Sequence, residues 1–122
     1  MNNILLVFIG GGLGSVMRYL LGIVVQKSIQ SSIPWHTLAA NIIASALLGF
    51  VTAMIAFRPG NFEQQRLFFG IGFCGGLSTF STFTLESFEM LRAGNIGPAI
   101  TYTLLSVVAC LIAFWAAWML QK

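Results

Sequence analysis

Four long apolar stretches follow one another with little between them: Ile4 to Val25, Leu38 to Phe57, Leu67 to Leu85 and Ala93 to Leu120. Each is close to or above the roughly 20 residues that a helix needs to cross a bilayer. They predict four spanning helices over about 4–25, 35–57, 66–91 and 96–120, forming a single transmembrane domain over residues 1–122. The punctuation between them agrees. Ile33-Pro34-Trp35 opens the second span with a proline near its first helical position, and Arg58-Pro59-Gly60-Asn61 turns the chain into the third. Arg92-Ala93-Gly94-Asn95 closes the third, and Pro98 falls in the first turn of the fourth, where a missing N–H is harmless. Trp35, Trp115 and Trp118 stand near span ends, as interfacial belt residues do.

The third stretch departs from the others. It reads Gly75-Gly76-Leu77, then Ser-Thr-Phe twice in tandem, Ser78 to Phe83. A glycine pair weakens a helix, and the hydroxyls of Ser78, Thr79, Ser81, Thr82, Thr84 and Ser87 need partners that lipid does not supply. Non-helical backbone survives at membrane depth only where protein or a water-filled path surrounds it. A break in the third span, beside a polar site, is therefore expected.

Polar positions on the neighbouring spans fall at helical spacing. Thr37, Asn41 and Ser45 recur at i, i+4 and i+8 on the second span, and Tyr102, Ser106 and Cys110 do so on the fourth. On the first span, Gly10/Gly14 and Gly11/Ser15 are small-xxx-small pairs suited to close helix packing. Arg18 is a charge near one end of that span, either snorkelling to the interface or facing a polar vestibule. His36 reads as an interfacial residue, Glu89 as a solvated one, and Glu86 either as solvated near the water boundary or as a group capping a polar path.

Composition fits this picture: 57% of the 122 residues are hydrophobic and 7% charged, against about 25% charged in soluble domains. Cys74 and Cys110 both fall within spans, without metal-type spacing, and read as packing groups. Met1-Asn2-Asn3 lacks a basic leader and Arg18 occupies the region of a cleavage site, so the first span is expected to remain. Six basic residues are scattered singly, which gives no nucleic-acid patch. Arg58, Arg66 and Lys122 belong to one side of a four-span topology, Lys27 and Arg92 to the other, with Arg18 near the latter. Since Lys/Arg bias sets orientation, so even a distribution predicts insertion both ways up and an antiparallel homodimer.

The chain holds no catalytic constellation: one histidine, no Ser/His/acid set and no phosphate loop. A proton-coupled exporter of cations needs a carboxylate within a span, whereas Glu63, Glu86 and Glu89 stand away from span centres. The polar groups are instead donors: hydroxyls, one amide and one guanidinium. Donors without a facing negative charge suit an anion, and the positive rims of Phe80 and Phe83, at i and i+3, extend the set. A small, strongly hydrated anion gains most from such an array. The residues by themselves leave open which anion that is. Two other classes remain, a small dual-topology exporter of cationic compounds and an assembly subunit without transport.

The stretch GFCGGLSTFSTFTLE, Gly72 to Glu86, resembles the signature of the Fluc/CrcB fluoride channel family. The resemblance extends to GGGLGSVMRYL with Arg18, to TLAANIIASALLG with Asn41, and covers essentially the whole chain. It implies an all-α membrane protein of the bacterial inner membrane, acting as an antiparallel dual-topology homodimer with two pores. The implied function is passive export of cytoplasmic fluoride, which enters acidified cells as HF and is trapped as the anion.

Carried over by position, the resemblance makes Phe80 and Phe83 ring-edge ligands of fluoride and Asn41 the amide that orients and coordinates nearby. Thr37, Ser81, Thr82, Tyr102 and Ser106 would belong to polar tracks lining the pore, with Glu86 near one end and Arg18 at the vestibule. Gly75 and Ser78 would offer main-chain carbonyls to a structural Na⁺ shared by both subunits. Cys110 stands where relatives commonly carry serine, and a thiol is a weaker donor.

Overall fold

The computed structural model describes residues 2–122, which form helices joined by short turns. Helix α1 covers Asn3–Ser28. Asn2 caps it, its side-chain oxygen accepting from the Ile4 N–H at 3.0 Å and satisfying one orphan donor of the first turn. Helix α2 covers Trp35–Phe57, with Pro34 as the residue just before it.

The third span is built in two parts. Glu63–Gln65, a wider π-type coil over Arg66–Cys74, and Gly75–Leu77 run on without interruption as α3. Ser78 and Thr79 are then extended, at φ −76°, ψ 157° and φ −154°, ψ 113°. Helix α4 resumes over Phe80–Arg92. Gly94, at φ +79°, ends it with a Schellman turn in which Asn95 N–H returns to the Met90 carbonyl at 2.9 Å. Helix α5 follows directly over Ile96–Met119. Among the described residues, four segments are long and apolar enough to cross a membrane, the third being the broken run Glu63–Arg92. This is a multi-pass helical membrane protein.

The break does not fall at the glycine pair. Gly75 and Gly76 remain helical, and the chain extends only at Ser78 and Thr79. The glycines serve packing instead. A Cβ at Gly76 would land on the Gly11 carbonyl oxygen, and one at Gly14 on the carbonyl oxygen of Phe73. Helix α1 therefore lies backbone to backbone along α3, as small residues permit in lipid. Gly49 brings α2 equally close to α5 at Phe114. These two pairings, α1 with α3 and α2 with α5, are the most extensive in the fold.

Two small clusters flank the break. Ala40, Ala44 and Leu77 pack at the end of α3, while Leu38, Met90, Ala99 and Tyr102 pack between α2, α4 and α5. Much of the remaining apolar surface, including Phe8, Leu111 and Trp115, is exposed. In water such a surface would drive aggregation; across a bilayer it meets lipid or another subunit.

Candidate functional site

A broken helix leaves backbone groups without partners, and at membrane depth each costs free energy. Asn41 answers two of them. Its Oδ1 accepts from the Thr79 N–H at 2.7 Å, and its Nδ2 donates to the Thr79 carbonyl at 3.4 Å. Thr79 in turn caps α4, its hydroxyl oxygen accepting from the Thr82 N–H at 3.2 Å. The same hydroxyl donates to Thr82 Oγ1 at 2.9 Å and lies 3.4 Å from Ser81 Oγ. Ser78 N–H returns to the Cys74 carbonyl at 2.9 Å. In an unbroken helix the Thr79 N–H would bond to the Gly75 carbonyl. Asn41 takes that donor, so the Gly75 carbonyl is released at the C-terminal, partly negative end of α3.

A second convergence lies one turn further along. Glu86, 14% exposed, receives Thr37 Oγ1–H on Oε1 at 2.7 Å and the Tyr102 hydroxyl on Oε2 at 2.8 Å. His36 Nε2 stands 3.2 Å from Oε1. Thr37 and Tyr102 are themselves buried, at 2% and 0% exposure. The stripe Thr37, Asn41, Ser45 on α2 thus divides its work: Thr37 holds the carboxylate, Asn41 the break, and Ser45 lines open space beside it.

That space is a cavity of about 250 Å³ lined by Asn41, Ser45, Ser78, Ser106 and the rings of Phe80 and Phe83, with Cys110 also in its wall. The two rings are 5.5 Å apart and tilted by 38°, and Phe83 leans on Tyr102 at 5.2 Å. Phe80 is 79% exposed, so one side of this cavity opens away from the protomer. Ser106 is 5% exposed, yet its hydroxyl has no hydrogen-bond partner. A buried donor left unbonded beside a cavity is a group waiting for a ligand or water. No acidic side chain lines this cavity.

Arg18 faces a separate cavity of about 350 Å³, shared with Ser15, Gln26, His36, Thr79 and Thr82. The structure thus brings Thr37, Tyr102 and Glu86 into one cluster and Asn41, Ser78, Ser106, Phe80 and Phe83 into another. Ser81 and Thr82 gather at the α4 cap, and Arg18 stands across from it. Three residues outside the sequence-derived site belong to this region. Thr79 organises the cap; a threonine ahead of Thr82 at N-cap spacing was its legible signal. Gln26 and His36 meet at 3.3 Å, a contact between helices that no spacing rule reports.

Four spans, a discontinuous third one, and polar groups converging on its break define a small polytopic membrane protein with a polar helix interruption. The chain belongs to the CrcB family: the family model described as "CrcB-like protein, Camphor Resistance (CrcB)" matches residues 5–118. It is 40% identical over 121 residues to a protein of Leptospira interrogans named "Fluoride-specific ion channel FluC", covering 98% of this chain and 95% of that one. Proteins of the same name from Bacteroides fragilis and Agrobacterium fabrum are 41% and 39% identical, each over 95% of this chain and 93% of theirs.

Proposed function

We propose that the protein is a passive, fluoride-selective channel that lets cytoplasmic fluoride leave down its electrochemical gradient, with no enzymatic step. The observation that carries this reading is the cavity at the break. It is lined by donors and ring edges, holds the unpartnered Ser106 hydroxyl, and has no acid in its wall. A dehydrating anion finds there an amide, hydroxyls and two phenyl rims in place of water. Near-full-length similarity to proteins named as fluoride channels supports the choice of fluoride.

The working unit is an antiparallel dual-topology homodimer in the cell membrane. Support comes from the balanced Lys/Arg placement and from Phe80, whose exposed ring leaves the cavity open on one side. A second copy would close it. Phe80 and Phe83 offer their ring edges to fluoride, and Ser106 its hydroxyl. Thr37, Ser81, Thr82, Tyr102 and Glu86 continue the polar track, and Arg18 draws anions into the vestibule.

The Gly75 and Ser78 carbonyls fit a structural Na⁺. Thr79 N–H, the donor that Gly75 would use, goes to Asn41, and no backbone donor returns to Ser78. Hard monovalent or divalent cations take such oxygen ligands. The ion would supply a fixed positive charge at the break, where these two carbonyls would hold it.

One observation favours the cation-exporter reading: Glu86 is largely buried. Thr37 and Tyr102 already donate to its two oxygens and His36 stands against one of them, so its charge is partly compensated and a cation gains less there. Proton-linked drug efflux abolished by Glu86→Gln would reinstate that reading.

The test is reconstitution of purified protein in liposomes, with efflux followed by ion-selective electrode and chloride as control. Rapid valinomycin-dependent fluoride efflux with little chloride movement is expected, and a folded dimer that passes no fluoride overturns the proposal. Phe80→Ile and Phe83→Ile should each cut fluoride efflux at least about tenfold while the dimer persists on size exclusion. Unchanged efflux in both would remove the rings from the mechanism.

A further inference from the structure

His36 sits where two cavities meet. The inner one holds Arg18; the outer one, about 450 Å³, is bounded by the α1–α2 turn, Leu85, Glu86 and Glu89. Gln26, His36 and Thr82 line both. The partition between them is a chain of polar contacts crossing three helices: Gln26 Nε2 to His36 Nε2 at 3.3 Å, and His36 Nε2 to Glu86 Oε1 at 3.2 Å. An anion passing from the outer cavity to the inner one passes this bridge.

Both contacts fall on the same ring nitrogen. In neutral imidazole that nitrogen presents either one hydrogen or one lone pair, never both. The Glu86 carboxylate only accepts, so the contact is attractive only when Nε2 carries a hydrogen. Gln26, whose amide nitrogen stands 3.3 Å from that ring nitrogen, is compatible with this only with its amide turned over, its oxygen sharing the single Nε2 hydrogen with Glu86. Protonation adds a full charge to the same bond, which becomes an ion pair. The charged and phenolic groups around the ring are Glu86 in direct contact, Arg18 and Tyr19 in the inner cavity from α1, Glu89 in the outer cavity from α4, and Tyr102 from α5 behind Glu86.

We propose that His36 is a positioning residue of the permeation path: braced by Gln26, it holds the Glu86 carboxylate at the partition, and its protonation eases fluoride past that carboxylate. This rests on the channel reading above. With a neutral ring, the Glu86 charge faces an approaching anion with only neutral donors against it, two hydroxyls and one ring N–H. With a charged ring, the carboxylate is compensated and the Arg18 cavity gains a second positive neighbour. A charged ring thus favours anion passage over a neutral one, so fluoride passage should be acid-stimulated.

The experiment measures initial fluoride efflux from liposomes at equal pH on both sides, at about pH 7.5 and about pH 5.5. Flux through protein-free vesicles, which contains the HF that crosses lipid, is subtracted at each pH. The expected ratio for the native chain is about fivefold, the effect of one unit charge a few ångström away in a wet site. In His36→Gln the ratio should fall to about one, whatever the absolute rate. Gln26→Leu, on a different helix, should lower the ratio as well, and it serves where His36→Gln yields no folded dimer. A flat profile in the native chain overturns the proposal, as does a native ratio retained in His36→Gln or Gln26→Leu. No fluoride efflux at either pH would instead overturn the channel reading on which it stands.

Discussion

At the scale of single residues, Asn41 does the most specific work. One amide satisfies both backbone groups of Thr79 and removes the donor that would close the helix at Gly75. Replacing it with leucine leaves two backbone groups unpaired, at about 1–3 kcal/mol each. The cheapest repair is for Thr79 N–H to bond to Gly75, which erases the break. Asn41→Leu is therefore expected to lower thermal stability in detergent and reduce fluoride efflux at least about tenfold; native-level efflux would show that the break does not depend on the amide. The polar stripe containing Asn41 was legible from spacing, because i, i+4 and i+8 share a helix face whatever the fold. Its partner was not. Asn41 and Thr79 are 38 residues apart in the chain, and the choice among nearby hydroxyls and backbone groups is a competition that spacing cannot settle.

Among elements, the contact of α1 with α3 carries the clearest stability prediction. Gly14 abuts the Phe73 carbonyl and the Leu77 amide, whereas nothing lies within 4 Å of a Cβ placed at Gly12. Gly14→Ala should destabilise by about 1–3 kcal/mol through overpacking. Gly12→Ala, two residues away in open space inside the helix, should be neutral or stabilising by up to about 1 kcal/mol. Denaturant or thermal unfolding in matched detergent checks both; equal effects would refute the close packing of these helices. The glycines of the first span were readable as a packing surface because small residues at four-residue spacing form one strip. The glycine pair of the third span misleads on the position of the break. Gly75 and Gly76 lower the cost of an interruption but do not require one, and Gly76 is spent on contact with Gly11. The interruption moves on to Ser78 and Thr79, where Asn41 and the Thr79 cap satisfy the backbone.

For the molecule as a whole, orientation in the membrane is set by very few charges. Adding three or four lysines to one inter-span turn should commit all copies to one orientation. If opposite-facing copies form the channel, fluoride efflux should then drop severely and return on co-expression with a chain locked the other way. Full activity from a chain locked one way up would exclude the antiparallel dimer. The sequence by itself determined that this is a membrane protein of four spans, that the third is irregular, and that donors outnumber acids around it. Those properties follow from hydrophobic length and helical period, which are local. Tertiary structure decided where the third span breaks, that Thr79 rather than a glycine organises the break, and that Glu86 is held by Thr37, Tyr102 and His36 from two other helices. Each of these is an exchange of hydrogen-bond partners between groups distant in the chain, and only the packing of α1 against α3 and α2 against α5 brings those groups within reach.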